Sequence, residues 1–313
     1  MRRFLLYAHT GRASALEATL SVLREMIDRG VRAVMVDHHV EDIRAHRDHA
    51  PAALLDLLDS DAVDVVDAVT AADTVELALV LGGDGTILRA LDVVRAAGVP
   101  LHGINLGHVG FLAESEVADL STTVHRLLDG DYQLEERATL DVVLFGEDRQ
   151  VIAEGWAMNE AAVEKADRQR MLYTVIEIDG RPVSAFGCDG VLLSTSTGST
   201  AYAFSAGGPV VWPEVDAFLV VPLAAHALFS RPLVLGRSSR VAIEITPENQ
   251  ERAVLTLDGR RTLEVPPGSR AEATLSTAPV RLVRLARTPF ADRLVEKFQL
   301  PVSGWRGRDH GAT

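Results

Sequence analysis

The spacing of apolar positions changes near Arg137, and two kinds of structure follow from the change. Before it, short apolar runs alternate with longer stretches of helical spacing. Phe4 to Ala8 is short enough for a buried strand, and His9 to Arg12 make a turn. Leu16, Leu20, Leu23 and Ile27 then mark one helix face, which Gly30 ends. Val31 to Val36 predicts the next strand, giving a βαβ opening. Leu77 to Leu81 continues it, followed by a helix with Ile87, Leu88, Leu91 and Val94 on one face and Gly98 as its stop. Val99 to Ile104 is a further strand. The intervening Asp37 to Asp73 reads as a solvated acidic helix and loop.

After Arg137 the apolar runs are short, and several alternate as half-exposed antiparallel strands do. They are Leu140 to Phe145, Val151 to Met158, Tyr173 to Ile178, Val241 to Ile245, Val254 to Leu257 and Val280 to Leu285. Asp179-Gly180 and Asp258-Gly259 are hairpin-type turns. The expected fold is a Rossmann-like α/β domain over residues 1–136 and an all-β sandwich over 137–285. A last helix, Ala291 to Phe298, lets residues 286–306 return to the first domain, and 307–313 make a disordered tail.

Composition narrows the partners. A chain of 313 residues suggests about two domains, and its net charge of −13 argues against nucleic acid or an anionic membrane. No apolar run approaches the ~20 residues of a membrane span. The start, Met1-Arg2-Arg3 before Phe4 to Ala8, is too short for a signal peptide, so the cytoplasm is expected. The single cysteine, Cys188, cannot form an internal disulfide and reads as buried packing rather than a nucleophile. His38, His39, His46 and His49 lack the fixed spacing or cysteine partners of a zinc site.

The candidate chemistry begins at Gly82-Gly83-Asp84-Gly85-Thr86, between a buried strand and a helix. Free N–H groups of a first helical turn favour an anion, and glycines let it approach the backbone. No Gly-Lys-Ser/Thr follows, and the third glycine of a dinucleotide fingerprint would have to stand at Leu88. A carboxylate beside a bound polyphosphate repels it. Asp84 is therefore expected to have a task, holding Mg²⁺ or accepting a proton from an attacking hydroxyl; the alternative is an ordinary Asp-Gly turn between strand and helix. Asn105 to Leu112, with two glycines, makes a second loop; its Phe111 could stack on a base or plug the core. Thr10-Gly11-Arg12 lies at a strand end where ligands of open sheets collect, or is a plain connecting turn.

A second constellation lies in the β-rich half. Ser194-Thr195-Ser196-Thr197-Gly198-Ser199-Thr200-Ala201-Tyr202 follows an apolar run. Hydroxyls packed this densely can bind ribose or phosphate oxygens or cap a helix. Asn159-Glu160 ends another strand and offers donors and acceptors together, as a ribose or carboxamide requires.

These pieces together resemble the NAD kinase family. The resemblance rests on Gly82 to Thr86, Asn105 to Leu112, Asn159-Glu160, Asp189-Gly190, Thr197 to Tyr202 and Ser205 to Pro209, in that order. Pro222, His226 and Arg231-Pro232 continue it, and it reaches from the first strand to about Arg306. It implies phosphoryl transfer from ATP, or inorganic polyphosphate, to the adenosine 2′-hydroxyl of NAD, giving NADP. The family fold is an α/β domain followed by a β-sandwich, with the C-terminal segment returning to the first. The resemblance assigns Asp84 as base or orienter of the hydroxyl, and Gly82, Gly83, Gly85 and Thr86 as the phosphate cradle. It places Asn159 and Glu160 at the ribose near the nicotinamide and Asp189 at the nicotinamide end. Thr200, Ala201, Tyr202, Ala203, Phe204 and Ser205 fall to the adenosine half, and Phe111 and Leu112 to the adenine side. Arg89 is expected to balance charge, and Lys165 and Arg170 to contact phosphates. Mg²⁺ would shield the donor phosphates, and the family implies a homodimer or homotetramer. Some members carry an arginine where this chain has Gly187, which leaves room, removes a charge and predicts that NADH is also accepted. A lipid kinase would need a membrane-facing surface that the charge disfavours, and a non-catalytic NAD(H) sensor would leave Asp84 without purpose.

Overall fold

The apolar runs of the N-terminal half become strands of one mainly parallel sheet. In chain order the elements are β1 (Arg3–Ala8), α1 (Ala13–Asp28), β2 (Arg32–Val36), α2 (Asp37–Ala45), α3 (Ala52–Leu58), β3 (Val63–Val66) and α4 (Ala68–Thr74). Then come β4 (Leu77–Leu81), α5 (Asp84–Val94), β5 (Leu101–Asn105), β6 (Ser115–Glu116), α6 (Leu120–Asp129) and β7 (Gln133–Arg137). This is a computed structural model, and it describes residues 1–107, 110–116, 120–167, 169–249, 252–286 and 288–302. His108 and Val109 of the second glycine loop, and the tail 307–313, lie outside the described residues.

Strand order is β3-β2-β1-β4-β5, then Val280–Arg284 and β7. The chain winds from β1 outward to β3, then crosses to β4 on the other side of β1. The carboxyl ends of β1 and β4 therefore flank a switch point, where open sheets bind ligands. All five residues of β4 are buried, as expected for a parallel strand covered on both faces. Helix α1 buries Leu16, Val22, Leu23 and Met26 against this sheet, whereas Ile27 stays on the solvent side.

Two expectations need correction. Asp37 to Asp73 is not merely a solvated helix and loop, since it holds α2, α3, α4 and β3. The four residues of β3, Val-Asp-Val-Val, are too few to show a period. Within that stretch His39 is 1% exposed, stacks on Tyr7 with ring centroids 4.2 Å apart, and places Nε2 2.8 Å from the Ala8 carbonyl. Burial pulls its pKa down to about 4. The second correction concerns Val280–Arg284, assigned above to the sandwich. It pairs in parallel with β5, Leu282 opposite Leu101. A strand's pattern shows which faces are buried but not which strand lies beside it.

The chain divides into two units, Met1–Glu135 with Arg281–Thr313 and Glu136–Val280. The second contains β8 (Leu140–Phe145), β9 (Val151–Ala157), β10 (Glu160–Lys165), β11 (Leu172–Ile178), β12 (Arg181–Cys188) and β13 (Gly190–Thr195). It continues with β14 (Ala217–Leu223), β15 (Leu233–Gly236), β16 (Arg240–Ile245), β17 (Ala253–Leu257), β18 (Arg261–Val265) and β19 (Arg270–Leu275). These form two antiparallel sheets, β15-β14-β13-β10-β17-β18 and β12-β11-β16-β19-β8-β9. Val142 and Ile243 of one sheet and Val163 and Leu193 of the other share a single core, which makes the unit a sandwich. Both Asp-Gly hairpins form as expected, with Asp179 and Asp258 at φ 52° and 53° ahead of left-handed glycines. The last helix, Phe290–Phe298, belongs to the first unit, as the family fold implies. Among the described residues no helix is long and apolar enough to cross a membrane.

Candidate active site

In the first unit the chemistry gathers where β4 meets α5. Gly82 lies so close to Thr86 that a Cβ there would stand 2.4 Å from the threonine hydroxyl. Thr86 is 2% exposed and closes under the turn, so its side chain packs rather than faces outward. Gly83 and Gly85 differ: a Cβ on either would meet nothing within 4 Å. That open ground over a helix N-terminus is a cradle for an anion.

Asp84 heads α5, and its carboxylate is held from across the loop. Phe111 N–H donates to Oδ2 at 3.0 Å and Leu112 N–H to Oδ1 at 3.1 Å. Gly110 makes room for this, because a Cβ there would lie 2.3 Å from Asp84 Oδ1. The loop is fixed in turn from the C-terminal segment. Arg284 donates to the Leu112 carbonyl at 3.0 Å and Arg293 to the Phe111 carbonyl at 3.2 Å. The Phe111 ring lies 5.7 Å from that of Phe290 and 5.9 Å from that of Phe298. Phe111 and Leu112 are therefore buried plugs whose backbone, not side chain, serves the carboxylate. Arg89 is exposed on α5. Burial, then the charges of Arg12 and Arg89, hold the nearby His9 below its ordinary pKa.

The second unit brings its two motifs together. Glu160 on β10 pairs with Ser194 on β13. Asn159 accepts at its carbonyl from the Thr195 N–H at 2.9 Å and from the Ser194 hydroxyl at 3.1 Å. Gly198 approaches so closely that a Cβ would sit 2.0 Å from the Asn159 carbonyl oxygen. The hydroxyl cluster is mostly bonded internally. Thr195 donates to the Met158 carbonyl, Ser196 to that of Val215, Ser199 to that of Val211 and Thr200 to that of Thr197. Ala203 is fully buried beside Leu192 and Leu219, whereas Tyr202, Phe204 and Ser205 are exposed and Ala201 is half-buried. The Tyr202 hydroxyl donates to Glu164 at 2.8 Å, and burial followed by that carboxylate pushes its pKa up to about 12.

Glu160 is 5% exposed, and its Oε2 has no hydrogen-bond partner among the described residues. Burial first, then the charge of Asp258, pushes its pKa up to about 7. Lys165 pairs with Asp189 at 2.5 Å. Lys165, Arg170, Met171 and Asn249 also border a pocket of about 320 Å³. Met171 takes up the space directly over Gly187, its Sδ standing 2.1 Å from where a Cβ would be, and Gly187 also borders a pocket of about 520 Å³ with Tyr173, Phe186 and Thr246. Cys188 is fully buried, its pKa raised chiefly by that burial, so it packs the core.

Residues 4–132 match the ATP-NAD kinase N-terminal domain, and residues 158–285 match the ATP-NAD kinase C-terminal domain. The chain belongs to the NAD kinase family. It is 52% identical to an NAD kinase of Leifsonia xyli subsp. xyli, the match covering 98% of each chain. It is 50% identical to one from Nocardia farcinica, covering 98% of this chain and 94% of that one. Among solved structures it resembles yeast NADH kinase complexed with NADH, with a TM-score of 0.85 over 98% of this chain and 90% of that one. At 21% identity that likeness speaks to the fold alone. An Archaeoglobus fulgidus NAD kinase in complex with ATP matches with a TM-score of 0.62 at 25% identity, covering 86% of this chain and 98% of that one.

Sequence reasoning missed Gly110 and Asp258 of this family member. Asp258 was visible only as half of a hairpin turn. Its carboxylate accepts from Met158 N–H at 2.9 Å and Asn159 N–H at 2.7 Å, and pairs with Arg261 at 2.8 Å. No local signal marks contacts between residues 99 and 100 positions apart.

Proposed function

We propose that this NAD kinase transfers the terminal phosphoryl group of ATP, or of inorganic polyphosphate, to the adenosine 2′-hydroxyl of NAD. A P–O bond to the acceptor oxygen forms, the P–O bond to the leaving ADP or shortened polyphosphate breaks, and the hydroxyl proton passes to Asp84. The observation that carries this reading is the Asp84 carboxylate, held by two N–H groups beside the open ground over Gly83 and Gly85. A carboxylate so fixed orients the hydroxyl and takes its proton late, when phosphoryl transfer has made that proton acidic. Gly83, Gly85 and the first turn of α5 bind phosphate, with Gly82 and Thr86 shaping the turn beneath. Arg89 balances charge.

Asn159 and Glu160 hold a ribose, Asp189 and Lys165 the nicotinamide side, and Thr200 to Ser205, through backbone and exposed side chains, the adenosine. Arg170 stands by for phosphate. Gly187 carries no charge, and on that ground alone NADH is a second acceptor. Among the described residues no three His, Cys, Asp or Glu side chains gather to hold a metal. Asp84, beside the phosphate cradle, would offer a carboxylate oxygen to a Mg²⁺ ion carried on the donor phosphates, the ligand type that hard cation takes. When bound, such an ion neutralises phosphate charge. The proposed setting is cytoplasmic, as a homodimer or homotetramer.

The test is NADP formation from NAD, Mg²⁺ and ATP, read with an NADP-specific dehydrogenase, for the wild type and Asp84→Asn. Product with the wild type and near-loss in the variant support the reading. Equal activity in both removes Asp84 from its role. Absence of NADP with ATP and with polyphosphate overturns the activity.

A further inference from the structure

Asn159 and Glu160 stand at a bend where the chain leaves β9 and enters β10. The bend's backbone donors do not find partners within either strand. They converge on one side chain from the β17–β18 hairpin. Asp258 Oδ2 accepts from Met158 N–H at 2.9 Å, and Oδ1 accepts from Asn159 N–H at 2.7 Å and, more weakly, from Glu160 N–H at 3.4 Å. The Asp258 N–H returns a bond to the Glu160 carbonyl at 2.9 Å. The side chain of Asp258 is 2% exposed, and Arg261 pairs with it while lying 4.4 Å over the Trp156 ring. A buried carboxylate this well furnished is a built feature.

We propose that Asp258 is the positioning residue of the Asn159–Glu160 element: it sets the bend that presents both side chains to the dinucleotide and keeps Glu160 in the form that donates a hydrogen bond. The proposal rests on the assignment of Asn159 and Glu160 to the dinucleotide. Its second half follows from what surrounds Glu160. On its own strand is Glu164, which also repels a charge at Glu160 and is itself bonded by the Tyr202 hydroxyl. From the hairpin comes Asp258, with Arg261 behind it. The Tyr202 backbone favours the charged form, and Lys165 faces Asp189 instead. Two carboxylates and burial outweigh one backbone donor, so Glu160 carries its proton up to about pH 7. The buried Oε2 then waits for a ligand group that can share this proton.

The test uses the full-length enzyme. Rates with NAD and ATP are measured from about pH 6 to about pH 9 for the wild type, Asp258→Asn and Glu160→Gln. In the wild type, kcat/KM for NAD falls on an alkaline limb. In Asp258→Asn the KM for NAD rises about tenfold, while kcat and the KM for ATP change less than about threefold. The limb also moves about one unit lower, because a negative charge beside Glu160 is gone. Glu160→Gln has no proton to lose, so its limb disappears. A limb that persists in Glu160→Gln, or stays in place in Asp258→Asn, overturns the proposal. So does an Asp258→Asn variant that raises both KM values alike. Where Asp258→Asn does not fold, Arg261→Gln decides: it leaves the Asp258 charge uncompensated beside Glu160, so the limb moves higher, and a limb that stays in place overturns the proposal. A wild type that makes no NADP overturns the assigned activity itself, whereas NADP formation with an unmoved limb overturns only the role of Asp258.

Discussion

Asp84 and Asp258 use the same device for opposite ends. Each receives backbone N–H groups from a loop distant in sequence: Phe111 and Leu112 for Asp84, Met158 and Asn159 for Asp258. They differ in what else they meet. Asp258 is 6% exposed and has a guanidinium partner. Asp84 is half-buried and forms no direct ion pair among the described residues, the Arg293 guanidinium acting on it only at longer range. A buried carboxylate paired directly with a guanidinium holds the chain together, whereas a half-exposed one fixed by backbone N–H groups alone can meet a ligand. The comparison teaches that backbone donors alone do not separate a carboxylate that meets a ligand from one that ties the chain together; for this pair, exposure and the absence of a direct guanidinium contact do.

The largest effect should come from removing the free charge. Asp84→Asn is expected to lower kcat by about 10²–10⁴, the usual span for a positioned acid or base. Its melting temperature should shift by no more than a few degrees, since the amide oxygen still accepts one N–H. A variant that unfolds instead would make Asp84 a second Asp258. The complementary change, Asp258→Ala, should destabilise the protein by about 3 kcal/mol, because three backbone N–H groups and Arg261 lose their acceptor together. Thermal unfolding would show this as a loss of about 5–10 °C. An unchanged melting temperature would mean that water replaces the carboxylate.

Gly110→Ala tests the Asp84 side without touching the carboxylate. The new Cβ would stand 2.3 Å from Oδ1, so either Asp84 turns away or the loop shifts. A displacement near 1 Å at a reacting group costs about a hundredfold in rate. The expected result is a kcat about thirty- to a hundredfold lower with near-normal stability. Unimpaired turnover would show that the two N–H contacts to Asp84 are dispensable.

How far the sequence carried these conclusions depends on range. Strand, glycine turn and helix around Asp84 were legible because short-range spacing determines them. The hairpin at Asp258-Gly259 was legible for the same reason, but its carboxylate was not, since the donors lie in another strand pair. Phe111 was ambiguous in sequence because a stacking ring and a core ring look alike until Phe290 and Phe298 are placed beside it. The hydroxyl cluster was ambiguous between binding a ligand and bonding internally. Ser194, Thr195, Ser196 and Ser199 bond to carbonyls whose positions only the folded chain supplies. Val280–Arg284 was seen as a strand and assigned to the wrong sheet, because its pattern carries burial but not partnership.

The smallest expected effect separates Glu160 from ordinary surface carboxylates. Its pKa lies at about 7 in the folded protein against an ordinary 4.5. Between those values the folded state holds a proton that the unfolded chain has lost. Its contribution to stability is therefore complete below about pH 4.5 and is lost as the pH rises through about 7. Asp258 is raised in the same direction, chiefly by burial. Without substrate, wild-type stability should fall between pH 5 and pH 8 by about 1–2 kcal/mol more than that of Glu160→Gln, which carries no titrating proton. Denaturant midpoints of the two proteins across this range measure the difference. Parallel curves would mean that Glu160 ionises without cost, in which case its buried oxygen has a solvent partner and the carboxylate resembles Asp84 more than Asp258.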